Sequence, residues 1–172
     1  MTSTGWGYLD STFKKLIPPI AKHAWPFTQD SLAKVEFSSG LSNSYLLKSN
    51  GKLIDLKYKK LGFPSEGLIA AKYKNKWGYV NFNGDIIIPF QYKMAYDFHD
   101  GIAMVEYNNR IGYINKSSEW VIQPILRYGT NSQNGFILSQ RVIGNWVFFS
   151  KSGTQLTEKT YLNAKPFEKI MD

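Results

Sequence analysis

The sequence predicts an all-β protein made of tandem antiparallel units of about 34 residues, and three sets of landmarks predict it. A Trp-Gly-Tyr strand at Trp77-Gly78-Tyr79 is echoed by Trp6-Gly7-Tyr8, Asn43-Ser44-Tyr45, Ile111-Gly112-Tyr113 and Trp146-Val147-Phe148, at successive spacings of 37, 34, 34 and 35 residues. An apolar run that opens at Gly67 returns at Gly101 and Gly135, and more loosely at Ser31. An Ile-Pro ending at Ile88-Pro89 returns at Ile17-Pro18 and, one residue stretched, at Ile122-Gln123-Pro124. Landmarks of three kinds keep one phase along the chain, which chance dipeptides do not do.

Within the best copy, residues 67–73 form a leading strand, and Lys74-Asn75 is the two-residue polar break that closes a hairpin. Trp77 to Phe82 returns. Asn83-Gly84 then turns the chain into a third strand, Asp85 to Ile88, because both residues tolerate positive φ. Pro89, which has no N–H for a ladder, ends that strand. Phe90 to Asp100 carries Ala95 and Phe98 three apart among polar residues and reads as a turn or short helix. The hairpin pairs Tyr73 with Lys76, Ala71 with Gly78 and Ile69 with Val80. Both faces of the ribbon are then apolar, so each unit is expected to lie between neighbours. The missing Cβ of Gly78 and Gly112 is expected to admit an aromatic side chain from an adjacent unit.

Lys76-Trp77-Gly78-Tyr79 followed by Asn83-Gly84, Ile87-Ile88-Pro89, Tyr92 and Ala95-x-x-Phe98 resembles the bacterial WG-repeat, or KWG-repeat, family. The resemblance covers nearly the whole chain and implies an all-β repeat protein that binds something. Departures occur at Asn43-Ser44, Ile111 and Val147, and over 127–134, where the Ala-x-x-Phe tail is absent.

The units are read as 1–30, 31–66, 67–100, 101–134 and 135–172, mostly three-stranded, forming one domain packed as an open curved array. A closed five-bladed ring is the alternative, and a strand exchanged between two chains would make a dimer. The polar run Gly129 to Asn134 reads as a flexible loop. Aromatic residues are 16% of the chain, as suits strands, and cysteine is absent, which removes disulfides, thiol nucleophiles and thiolate metal sites. Met1 to Trp6 has neither a basic cluster nor an apolar run. No apolar stretch approaches the roughly 18 residues of a membrane span, so a cytoplasmic chain without a signal peptide is expected.

No catalytic constellation, metal cluster or cofactor motif stands out. His23 and His99 are the only histidines, and the acidic residues Asp97, Asp100 and Glu106 are dispersed. The repeated residues Trp6, Gly7, Tyr8, Trp77, Gly78, Tyr79, Gly112, Tyr113 and Trp146 are assigned to structure, with the large rings as core. Charge supplies the candidate site. Net charge is +8, peaking at +3 over residues 31–66. Lys52, Lys57, Lys59 and Lys60 form one group and Lys72, Lys74 and Lys76 a second, and register between successive units places both on one rim. The expected function is non-catalytic protein binding, as in an immunity-type inhibitor of an acidic toxin or enzyme. The alternatives are glycan binding through exposed Trp and Tyr platforms, and nucleic-acid binding through these lysines with Tyr58 or Tyr73.

Overall fold

Strand order follows chain order in every sheet of the computed structural model, each strand pairing with its neighbour in the sequence. The structure describes residues 5–10, 12–38, 44–58 and 60–157, and these contain antiparallel sheets, none closed into a barrel, and no helix. Two compact units divide the chain, Met1–Phe90 and Gln91–Asp172.

In the first unit β1 (Trp6–Leu9) pairs with β2 (Lys15–Ala21). A four-stranded sheet follows in the order β3 (His23–Ala24), β4 (Leu32–Glu36), β5 (Ser44–Lys48) and β6 (Leu53–Ile54). The next sheet runs β7 (Lys60–Leu61), β8 (Ile69–Tyr73), β9 (Lys76–Val80) and β10 (Ile86–Tyr92). The second unit is one six-stranded sheet of β11 (Met94–Ala95), β12 (Ile102–Tyr107), β13 (Arg110–Asn115), β14 (Trp120–Gly129), β15 (Phe136–Arg141) and β16 (Trp146–Ser150).

The hairpin register is the one read from the sequence: Ile69 faces Val80, Ala71 faces Gly78 and Tyr73 faces Lys76. Lys74 and Asn75 have φ of 43° and 65°, the mirror-image turn whose twist suits two right-twisting strands. Both ribbon faces are buried. Ala33, Val35 and Leu47 pack with Ile17 and Ala21 of β2, while Leu32 and Leu46 pack with Leu61, Ile69, Ala71 and Val80 of the next sheet. In the second unit Met104, Tyr113, Leu126, Ile137 and Val147 form a core drawn from both halves of the sheet.

The tail of each copy corrects the sequence reading. No helix occupies 90–100, and the turn comes only at its end, at Asp100. Met94–Ala95 is a strand that pairs with β12, and His23–Ala24 and Lys60–Leu61 do the same for β4 and β8. The expected three-stranded unit therefore acquires an outer strand from the copy before it. The cause is a second tight turn at Glu66-Gly67, Asp100-Gly101 and Asn134-Gly135, where all six residues have positive φ. For the same reason 129–134 is no flexible loop. The Thr130 N–H bonds to the Leu138 carbonyl, Gln133 and Phe136 exchange backbone bonds, and Ser132 is buried. The second Ala-x-x-Phe tail, at 164–167, lies outside the described residues.

Those turns are tied from copy to copy. The Asp100 carboxylate accepts a bond from the Ser132 hydroxyl at 2.7 Å and from the Gly135 N–H at 2.9 Å, and Asp30 accepts one from the Gly67 N–H at 3.2 Å. The Ser132 bond, then the Gly135 bond, hold the Asp100 carboxyl below its usual range. A depressed carboxyl stabilises the fold above its unfolded value of about 3.8 and loses that contribution as pH falls through the folded value. Asp100→Asn is thus expected to lower stability at pH 7, with the gap to wild type closing in acid. Urea unfolding at several pH values checks this.

The loop after each Trp-Gly-Tyr strand also departs from expectation. Of Asn83-Gly84 only Gly84 has positive φ, and the Asn81 carboxamide oxygen accepts from the N–H groups of Asn83 and Asp85. The Asn81 N–H bonds to the Asp85 carbonyl, and the Gly84 N–H to the Asn81 carbonyl. The same two backbone bonds recur at Asp10/Phe13/Lys14, Lys48/Gly51/Lys52, Asn115/Ser118/Glu119 and Ser150/Gly153/Thr154. This loop persists where the Trp-Gly pair does not.

Prolines 18, 19, 89 and 124 lie inside strands rather than ending them. Opposite Gly7 the register jumps from Ala21 to Ile17, and opposite Gly112 from Leu126 to Ile122. One glycine thus faces three residues of a bulge, and a bulged residue without a ladder partner can be proline at no cost. The bulge backbone passes over the glycine. A Cβ on Gly78 would lie 2.6 Å from the Ile88 carbonyl oxygen, one on Gly7 2.6 Å from that of Ile17, and one on Gly112 2.9 Å from that of Ile122. Backbone, not the expected aromatic of an adjacent unit, fills this space at Gly78, whereas at Gly112 a ring carbon of Trp120, from the same copy, lies nearest at 2.7 Å. The copies with Ser44 and Val147 in place of glycine have no proline in the strand segment that follows, at 53–58 and 154–157. Glycine and proline are two halves of one device.

The motif's rings divide their roles in a way the sequence reading missed. Tyr79 and Tyr113 are fully buried, whereas Trp6 is 63% exposed and Trp77 and Trp146 are half-buried. Tyr8 donates to the Trp25 carbonyl at 2.6 Å, and Tyr113 donates to the Thr130 carbonyl at 2.7 Å, each 17 residues on. The tyrosine pins the tail of its own copy.

Candidate functional site

Between the 57–60 segment and the β8–β9 turn lies a cleft of about 540 Å³, lined by Lys57, Tyr58, Lys60, Lys72, Tyr73, Lys74 and Asn75. The strands make the lysines converge. Lys60 and Lys72 stand directly opposite one another across β7 and β8. Lys57 has a φ of 60°, held by its N–H bond to the Asp55 carboxylate at 2.7 Å. Lys74 occupies the turn, and its ammonium lies 5.3 Å from the Tyr73 ring centroid. Tyr58 and Tyr73 both pack on Phe90, with centroids 5.5 and 5.6 Å away. Burial, then the nearby Tyr73, pushes the Tyr58 phenol above its ordinary value. Tyr73 remains 51% exposed.

Lys34–Glu36 and Lys93–Glu106 are close ion pairs that involve none of these four lysines, and the Asp55 carboxylate stands beside Lys57, on its backbone N–H. Like charges facing across a strand pair destabilise it. Comparison within the chain shows that the repeat does not demand them. Positions 34 residues further on keep the frame, as Tyr92, Tyr107 and Asn109, but replace Lys57, Lys60, Lys72 and Lys74 by Gln91, Met94, Glu106 and Asn108. Strand pairing confirms the equivalence at the centre: Lys60 faces Lys72, Met94 faces Glu106 and His23 faces Glu36. In two other copies the position of Lys72 thus carries a carboxylate, and each of these carboxylates pairs with a lysine. The tyrosine pair recurs 34 residues further on, as Tyr92 and Tyr107, with Pro124 in the place of Phe90, and the four lysines do not recur there.

Lys72→Glu gives this strand pair the charge pattern of its neighbours. It is expected to raise stability by about 0.2–1 kcal/mol, since a repulsive cross-strand pair becomes attractive. Thermal unfolding at low salt measures it.

Of the seven lysines assigned to the rim from sequence, four line the cleft. Lys52 sits in the loop between β5 and β6, Lys76 is exposed on β9 without lining the cleft, and Lys59 lies outside the described residues. Phe90 and Asn75 were not singled out for the site. The signal that finds it is the subtraction of one copy's charges from the next, rather than a count of lysines.

Tandem antiparallel sheets with one copy diverted to a cationic cleft define a β-repeat module. The WG containing repeat model matches residues 6–39, 48–77, 77–110 and 111–138, and the chain belongs to that family. A search of curated proteins found no match. Among solved structures, "Crystal structure of the eukaryotic initiation factor" is similar with a TM-score of 0.57 and 14% identity, covering 85% of this chain and 45% of that one. "Structure of Kluyveromyces lactis Hsv2p" is similar with a TM-score of 0.54 and 12% identity, covering 83% and 52%. The chain spans about half the length of these structures, and the likeness is one of fold.

Proposed function

We propose that this repeat module is a non-catalytic binding protein that grips an acidic protein partner through the cleft of its third copy, in the manner of an immunity-type inhibitor of a toxin or enzyme. The observation that carries the reading is the set of four lysines around one cleft, at positions that 34 residues further on carry Gln91, Met94, Glu106 and Asn108. Natural sequences rarely keep repulsive charge without a use for it, and an opposed surface supplies the missing anions on docking. Expected in affinity capture from the source cell lysate is an acidic protein that wild type retains, that salt elutes, and that Lys72→Glu does not hold. Saturable glycan binding with no retained protein overturns the reading.

Nucleic acid is the second reading, favoured by one observation. The exposed Tyr73 ring, with the Lys74 ammonium over it, has the composition of a base-stacking platform beside phosphate-binding cations. A log–log plot of affinity against salt with a slope near zero removes it.

A further inference from the structure

The same cleft carries an inference that stands apart from any protein partner. We propose that it binds an oligophosphate, a small ligand with several phosphate groups in series. Its volume of about 540 Å³ lies within the range of small-molecule sites. Four lysines line it, Lys57, Lys60, Lys72 and Lys74, so the charge is concentrated at one place instead of strung along an edge. A single carboxylate neutralises only a fraction of that charge. Along an extended peptide only every second carboxylate shares a face, roughly 7 Å from the next, whereas phosphates in series lie closer together.

The donor type agrees. Every cation in the cleft is lysine, a compact point charge that can bind phosphate oxygens. The Tyr58 and Tyr73 phenols and the Asn75 amide add neutral donors at the same walls. The frame is preorganised, because both tyrosine rings are fixed on Phe90 and Lys57 is fixed by Asp55. The fourth copy supplies the contrast within the chain. With Glu106 ion-paired to Lys93 and Met94 opposite it, the same frame presents no such charge.

The test is calorimetric titration of the full chain with sodium tripolyphosphate, ATP and hexaglutamate at low salt. Saturable one-to-one binding of tripolyphosphate, ATP or both is expected. Affinity should fall at least tenfold in Lys72→Glu and in the double variant Lys57→Gln, Lys60→Met. Both variants carry the residues of the equivalent positions in the fourth copy, and a melting curve of each confirms folding. Lys76→Gln and Lys52→Gln, outside the cleft, should bind as wild type does. ATP binding tighter than tripolyphosphate, with the excess lost in Tyr73→Ala, identifies a nucleotide as the source of the phosphates. Equal affinity identifies the free oligophosphate. The proposal fails if neither phosphate compound saturates, if hexaglutamate binds as tightly, or if Lys76→Gln loses as much as Lys72→Glu. Each failure leaves the protein-partner reading standing, because the lysate capture does not depend on phosphate.

Discussion

Gly78→Ala is expected to lower stability by about 3 kcal/mol, the upper end of what overpacking costs, although it adds one methyl group to a strand. The new Cβ would meet the Ile88 carbonyl oxygen at 2.6 Å, the Pro89 carbonyl oxygen at 2.8 Å and the Phe90 nitrogen at 2.9 Å. All three atoms are backbone, so no side chain can swing aside. Relief requires the bulge to move, and Phe90, the shared support of Tyr58 and Tyr73, moves with it. The same substitution should therefore weaken anything bound in the lysine cleft. Val147→Ala is the contrasting control, since no proline bulge follows that position in the described residues. It should cost only what a lost pair of buried methyl groups costs. Chemical denaturation of the two variants side by side gives the comparison, and equal losses at the two sites would refute the coupling of glycine to proline.

Tyr113→Ala is expected to cost about 3–5 kcal/mol, as large-to-small changes in packed cores do. Tyr113→Phe separates the hydroxyl from the ring. The hydroxyl donates to the Thr130 carbonyl, and its loss, which leaves that carbonyl without this donor, is expected to cost about 1–3 kcal/mol. Alkali offers an independent reading. Burial pushes the Tyr113 phenol well above its ordinary value of about 10. A raised phenol stabilises the fold fully below its unfolded value and loses that contribution as pH climbs through the folded value. Wild type should therefore lose stability above about pH 10, and Tyr113→Phe should lose less over the same range. Unfolding followed by circular dichroism between pH 8 and 11 distinguishes them.

Period, strand type and hairpin register were legible in the sequence because each is written locally. Lys74-Asn75 fixes a turn, alternation fixes the faces, and a 34-residue period fixes the copies. The outer strand was not read, although Asp100-Gly101 and Asn134-Gly135 are as strong a turn signal as any in the chain. The sequence starts an apolar run at each of those glycines, Asn134 closes a polar run, and nothing apolar enough precedes either turn to suggest a partner. The prolines misled for a related reason: a missing N–H ends a ladder only where a ladder continues, and the bulge had already interrupted it. The exposure of Trp6 and the burial of Tyr79 and Tyr113 depend on which ring the tail covers, a long-range fact that spacing does not contain. The cleft was half legible. Its lysines were visible as a surplus, but Lys60 and Lys72 became a site only through the pairing of β7 with β8.

The strand that each copy lends to its successor decides where the array can be cut. A segment trimmed at the boundaries the motif suggests, from one leading strand to the next, carries away a strand that its follower requires and leaves its own flank bare. A segment that runs from one tail to the end of the next third strand, as from Lys60 to Tyr92, takes a complete sheet with it. Insertion, deletion or transplantation of copies in this lineage is therefore expected to succeed in the second frame and to fail in the first.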